Sequence, residues 1–173
     1  MAVREIIKIP NPVLKTVSKP IERIGDDVHV LLDDMLETMY AAPGIGLAAV
    51  QLGVLKRLVV IDLAKEDEEP QPIRFINPQI IWSSDELAEY EEGCLSIPEV
   101  YDTVTRPAEV KVRYVDASGD TVERHCNGLL APCIQHEIDH LDGILFIDHL
   151  SRLKRDRVVK KFTKAARQAK EAL

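Results

Sequence analysis

His136-Glu137-Ile138-Asp139-His140 sets two imidazoles four residues apart, with a carboxylate directly after the first. On a helix this spacing is about one turn, so both rings leave the same face and two ring nitrogens can share one metal ion. Glu137 sits roughly 100° further round the helix, within reach of a water bound to that metal. This is the metal-hydrolase pattern in which a glutamate works on a metal-activated water. Two ligands do not complete such a site, which needs a third ligand and an open position.

Working outward, the helix that carries the pair is expected from about Asn127 or Leu129 to Asp142, with Gly143 as its stop. Leu130, Ile134, Ile138 and Leu141 form one stripe, assigned to the core. Leu129, Cys133, His136 and His140 form an adjacent stripe, assigned to the site. Pro132 fits this helix only near its first turn, where a missing N–H costs nothing.

The rest of the chain mixes strand and helix signals. Residues 26–42 read as a helix, with Val28, Leu31, Leu32, Met35 and Met39 at helical spacing and Pro43-Gly44 as the stop. Residues 44–51 read as a tight loop or turn, and 57–63 as a buried strand. Residues 73–77 and 79–82 are strand candidates broken at Asn77-Pro78. Residues 86–92 are acidic, and 100–105 alternate weakly. Residues 110–115 and 121–125, joined through Ser118-Gly119-Asp120, read as a hairpin. Residues 151–170 form a final, largely polar helix. Strands and helices in an order without βαβ alternation imply an α+β fold.

A chain of 173 residues suits a single catalytic domain spanning 1–173. Its 46% hydrophobic content is that of a globular protein. No apolar run reaches the roughly 18 residues that a membrane span needs, and the first seven residues, Met1 to Ile7, show neither an apolar signal core nor Arg/Ser-rich transit character. Three cysteines without disulfide-framework spacing suit a reducing cytoplasm. The net charge of −7 is uneven: residues 151–173 hold nine Lys/Arg against Asp156 and Glu171, a sum of +7, so the other 150 residues carry −14. An acidic body with a basic C-terminal helix suggests a polyanionic partner for the tail, against the plainer reading of a solvated helix.

The third ligand must come from elsewhere. Cys133 lies seven residues, about 10 Å of helix rise, from His140; it can line a pocket but not complete a triad. Cys126 has no motif around it, and His29 and His125 read as ordinary surface or strand histidines. A longer metalloprotease signature fails, because Phe146 stands where its third histidine belongs. His149 is not excluded by spacing. Cys94, in Glu91-Glu92-Gly93-Cys94-Leu95-Ser96, is either a buried small hydrophobe or the ligand. Gly93 permits close backbone approach, and Leu95 N–H stands beside the thiolate where an oxyanion could form. Gly44-Ile45-Gly46 partly mimics a dinucleotide fingerprint but follows a helix and precedes a strand, the wrong context. It better lines a cleft, with Gln51 donating an amide N–H to a reacting carbonyl oxygen. A zinc endopeptidase and a metal-stabilised binding module are the alternatives at this level.

Three segments, Gly44-Ile45-Gly46-Leu47-Ala48-Ala49-Val50-Gln51, Glu92-Gly93-Cys94-Leu95-Ser96 and Gln135-His136-Glu137-Ile138-Asp139-His140, resemble the three motifs of the peptide deformylase family in the same order. The resemblance covers nearly the whole chain. It implies an α+β fold with antiparallel sheets around a central metal-binding helix, followed by a C-terminal helix. It implies hydrolysis of the N-formyl group from formyl-methionyl nascent chains, releasing formate, in the bacterial cytoplasm. By position it implies Cys94, His136 and His140 as ligands of one divalent metal ion. Ferrous iron is the family's usual choice, and zinc, nickel or cobalt are also compatible. Glu137 falls on the catalytic glutamate, and Gln51 and Leu95 fall on the oxyanion donors. Ile45, Gly46, Gly93, Leu129, Pro132 and Cys133 fall where the family lines its methionine pocket and cleft. Bacterial members also suggest that the basic C-terminal helix docks on the ribosome. Tyr101 is a departure, standing where some members have an arginine near the bound peptide.

Overall fold

All four residues of strand β2 (Leu58–Ile61) are buried, and their side chains alternate between two cores. Val59 and Ile61 pack with Ile134, Ile138 and Leu141, while Leu58 and Val60 pack with Val28, Leu32, Met35 and Met39. A sheet covered on both faces needs apolar side chains on both, and the helices that cover it are α2 (Leu130–Leu141) and α1 (Asp26–Ala41). The computed structural model describes residues 2–172. Met1 and Leu173, the ends of the N-terminal and C-terminal segments read from sequence, lie outside them.

The sheet is antiparallel and five-stranded, in the order β1-β2-β3-β6-β7, with β1 at Gly46–Ala48, β3 at Ile73–Ser83, β6 at Val110–Val115 and β7 at Thr121–Cys126. A second, two-stranded sheet is the long hairpin β4 (Leu87–Cys94) and β5 (Ile97–Pro107). Helix α2 lies between the two sheets, touching β1, β2 and β7 on one side and β5 on the other. The architecture is thus α+β, with antiparallel sheets around the helix bearing the two histidines. The last helix, α3 (Arg152–Glu171), is capped by Ser151 Oγ, which accepts from Lys154 N–H at 3.2 Å. None of its residues is fully buried. Among the described residues, no helix is long and apolar enough to cross a membrane.

Both helices whose core stripes were read from periodicity bury those stripes, except that Leu130 at the start of α2 is only half-buried. Pro132 is the third residue of α2, inside the first turn where it is tolerated. Two local readings change, and a third segment gains a structure. Residues 44–51 are not all loop: Gly46–Ala48 pairs with β2 as an edge strand, and Ala49–Leu52 is a 3-10 turn. Asn77-Pro78 does not break a strand. β3 runs through it, with a register shift between Ile76 and Gln79. Asn77 takes φ of 52° there, and its side chain bonds Ile21 N and O, both at 2.8 Å. The acidic stretch 86–92 is largely strand β4. Its charges alternate with inward residues, so Glu89 and Glu91 are exposed while Glu92 is buried.

Candidate active site

β4 delivers Cys94 at its end, past a register shift at Gly93, and both Cys94 and Glu92 two residues earlier face the same cleft. α2 delivers His136, Glu137 and His140 toward the same point. Cys94 Sγ lies 3.3 Å from His140 Nε2, and His140 Nε2 lies 3.2 Å from His136 Nε2. One ligand atom from each residue falls within 4.8 Å of the others. Three lone-pair donors turned on one another repel unless a cation joins them. Donors arranged tetrahedrally around a first-row cation at 2.0–2.3 Å stand roughly 3.3–3.6 Å apart, close to the separations found.

The surroundings fit a cation in three further ways. First, Glu92 Oε1 accepts from His136 Nδ1 at 3.0 Å, which leaves the Nε2 lone pair of a neutral ring pointing at the cluster. Second, burial opposes charge on His136, yet Glu137, Cys94 and Glu92 around it hold its pKa well above the ordinary imidazole range. The field that would keep a proton there also favours a metal ion. Third, burial and the neighbouring His136 hold His140 well below that range, so it is a neutral donor.

Glu92 is itself pinned. Arg106 of β5 grips it in a fork, Nε to Oε2 at 2.6 Å and Nη2 to Oε1 at 3.0 Å. Burial alone would raise the Glu92 carboxyl, but bonds from His136 and Arg106 bring it down to about 2. Arg106 Nη1 continues to Asp139 Oδ2 at 2.9 Å, tying the hairpin to α2. Phe146 stacks on the His136 ring, centroids 6.0 Å apart.

Glu137 is the buried acid beside the cluster, and burial pushes its carboxyl up to about 7. Its Oε1 has no protein partner. A carboxyl poised near neutrality can both take and return a proton. Gln51 lies on the other side. Its Oε1 accepts from Ala48 N–H at 3.0 Å, which turns its NH2 toward Ser96 Oγ at 3.0 Å and Cys94 Sγ at 3.7 Å. The amide donor is therefore held beside the candidate ligand sulfur. Leu95 follows Cys94 at the hairpin turn, its side chain against Gly44.

Gln51, Glu92, Cys94, Leu95, His136 and Glu137 line one cleft of about 860 Å³, while His140 is fully buried behind them. Ile45, Gly46, Gly93, Leu129, Pro132 and Cys133 line it as well. Ile45 and Leu129 are exposed at the rim, and Cys133 is buried inside. Burial holds the Cys133 thiol well above its usual pKa, so it presents a neutral, apolar wall. Gly46 has no room for a side chain: a Cβ there would stand 2.5 Å from Glu137 Oε2. Gly93 likewise lies under the Tyr101 ring. His149 is not among the three converging donors; it bonds Asp139 at 2.8 Å. Cys126 is buried in the core, and His125 bonds Glu109 on the surface.

The chain matches the polypeptide deformylase family over residues 3–156. It belongs to the peptide deformylase family. A peptide deformylase of Phenylobacterium zucineum is 62% identical over 169 residues, covering 98% of this chain and all of that one. A peptide deformylase of Legionella pneumophila of known structure superposes with a TM-score of 0.88 at 45% identity, covering 97% of this chain and 98% of that one. The Ehrlichia chaffeensis peptide deformylase, solved in complex with actinonin, superposes at 0.90 with 41% identity, covering 95% and 98%. Deformylases are metal-dependent hydrolases that remove the N-formyl group from nascent peptides, and that is the activity of this chain. The endopeptidase and binding-module alternatives fall with it.

Sequence reasoning gave no role to Glu92, Arg106, Ser96 or Phe146. Glu92 was within reach, since a residue two before a candidate ligand on a strand shares its face. Arg106 carried no local signal, because its partners lie 14 and 33 residues away.

Proposed function

We propose that Cys94, His136 and His140 hold the single divalent cation on which deformylation depends, and that Glu137, Gln51 and Leu95 carry out the chemistry beside it. The observation that carries this reading is the convergence of three donor atoms next to a buried, proton-competent carboxyl at the head of an apolar cleft. Ferrous iron is our assignment, on the family resemblance; one thiolate and two imidazoles also accept zinc, nickel or cobalt. When bound, the cation supplies Lewis acidity at the formyl group and lowers the pKa of water. Glu137 takes a proton from the attacking water and returns it to the leaving amine. Gln51 Nε2 and Leu95 N–H donate to the formyl oxygen as it gains charge; one such donor is typically worth about 3–4 kcal/mol. Ile45, Leu129, Pro132 and Cys133 receive the unbranched methionine side chain. Gly46, Gly93 and Leu95 leave space for a formyl hydrogen and not for an acetyl methyl.

The test is formate release from a formyl-methionyl tripeptide, with bound metal measured in parallel. Glu137→Gln is expected to retain metal and lose at least roughly 100-fold in rate. Near-normal turnover removes Glu137 from the chemistry.

We further propose that α3 docks on the ribosome in the bacterial cytoplasm, where formylated chains emerge. Its nine cationic residues stand on a helix with no fully buried side chain, while half-buried Val158 and Phe162 anchor it to the body. Binding driven by such charges to RNA falls steeply with salt. Ribosome co-sedimentation is expected at low ionic strength and is expected to vanish when 151–173 is removed. Unchanged binding of the truncated chain rejects it.

A further inference from the structure

The 3-10 helix Phe146–His149 reaches the metal cluster twice without supplying a ligand. Phe146 at its start stacks on the His136 ring, the two planes 23° apart. His149 at its end closes a chain of charged hydrogen bonds. Its Nε2 meets Asp139 Oδ2 at 2.8 Å, the oxygen that also accepts from Arg106 Nη1 at 2.9 Å. Arg106 then forks onto Glu92, and Glu92 Oε1 receives His136 Nδ1 at 3.0 Å. The turn is anchored from both sides. Asp148 accepts from Lys15 Nζ at 2.5 Å and from Leu145 N at 2.9 Å. Helix α3 starts at Arg152, and its Val158 and Phe162 pack on the cluster that contains Phe146 and Ile147.

We propose that His149 is a positioning residue that fixes Asp139, through it Arg106 and Glu92, and so the orientation of the metal-ligating His136 ring. This rests on the reading of His136 as a ligand. Asp139 Oδ2 accepts from two donors. With one gone, the Asp139 carboxylate, 21% exposed, can swing, and the Arg106 fork is no longer held square on Glu92. Partners bonded directly to a ligating histidine tune metal affinity by about 10–100-fold. His149 stands three links beyond Glu92, so its effect is expected to be smaller, about 3–10-fold.

The experiment uses the full chain loaded with cobalt(II). It follows the thiolate-to-cobalt absorption band and the rate of cobalt loss to a chelator for wild type, His149→Ala and His149→Gln. His149→Ala is expected to shift the band and release cobalt about 3–10-fold faster, with KM for a formyl-methionyl peptide unchanged. His149→Gln, which offers an amide N–H in place of the ring donor, is expected to restore most of both. Asp139→Asn cuts the chain one link nearer the metal and is expected to act more strongly in the same direction. An unaltered band and release rate in His149→Ala, or equal effects of Ala and Gln, overturns the positioning role. A wild-type protein that binds cobalt without a thiolate band overturns the ligand reading itself, and the positioning role with it.

Discussion

At the scale of single residues, Gly46 shows what the cleft demands. A Cβ there would stand 2.5 Å from Glu137 Oε2 and 3.2 Å from Cys133 Sγ. The nearer obstacle is the far end of a side chain, so Gly46→Ala is accommodated by moving the carboxylate rather than the backbone. The stability cost is then that of modest overpacking, about 1–3 kcal/mol, while displacing the proposed proton carrier by about 1 Å costs on the order of 100-fold in kcat/KM. Formate-release kinetics beside a thermal melt and a metal assay check this. Wild-type kinetics with metal retained would mean that Glu137 does not act from where it is seen. The residues in the three motifs were legible in the sequence because chemistry confines them to short local patterns. Arg106 was not, because a buried fork between strand and helix is a relation between distant positions that no local pattern encodes.

At the scale of elements, the pieces read most easily were those whose periodicity agrees with their burial: α1, α2, β2 and the β6–β7 hairpin. β3 was misread at Asn77-Pro78 because a proline in a strand usually ends it. Here a bulge absorbs it, and the Asn77 side chain substitutes for the lost pairing by bonding both backbone groups of Ile21. Asn77→Gly keeps the left-handed backbone and loses two hydrogen bonds, an expected loss of about 1–3 kcal/mol. Asn77→Ala should lose about 1 kcal/mol more, for the strain of a Cβ at positive φ. Urea unfolding of the pair checks it, and equal stabilities would show that the conformation is not held. α1 gives a second expectation. Asp34 accepts from Arg4 Nε and Nη2 at 2.9 and 2.7 Å and from Ala2 N at 2.7 Å, pinning the N-terminal arm beside the cleft. The Arg4 hydrogen bonds, then that from Ala2, hold its carboxyl below the usual 3.8. A carboxyl lowered on folding stabilises the fold above its unfolded value and loses that contribution as pH falls through its folded value. Asp34→Asn should therefore be less stable than wild type at pH 6, the gap closing below about pH 3.8. Melting temperatures across pH 2–6 test this, and a gap that does not narrow in acid would remove the ion pair as its cause.

At the scale of the whole molecule, the candidate ligands come from both sides of the structure. Cys94 belongs to the β4–β5 hairpin, while His136 and His140 belong to the helix packed on the five-stranded sheet. A cation site of this kind exists only when hairpin and helix are docked, so whatever docks them also builds the site. Arg106 is a buried polar tie between them, joining Glu92 of β4 and Asp139 of α2 from its place on β5. Arg106 and Glu92 are only 5% and 7% exposed, so neither charge can turn to water if the other is lost. Arg106→Met fills similar volume but leaves the Glu92 carboxylate buried without its cationic partner. Removing one member of such a pair costs about 3–5 kcal/mol. The loss should appear in urea unfolding of metal-free protein, before any ligand effect enters. A cation that binds only the folded state adds stability according to its affinity. If Arg106 also holds Glu92 on His136, metal should therefore raise the melting temperature of wild type more than that of Arg106→Met. Equal increments would confine Arg106 to docking the hairpin, and a metal-free variant as stable as wild type would mean that apolar packing alone brings the two halves together.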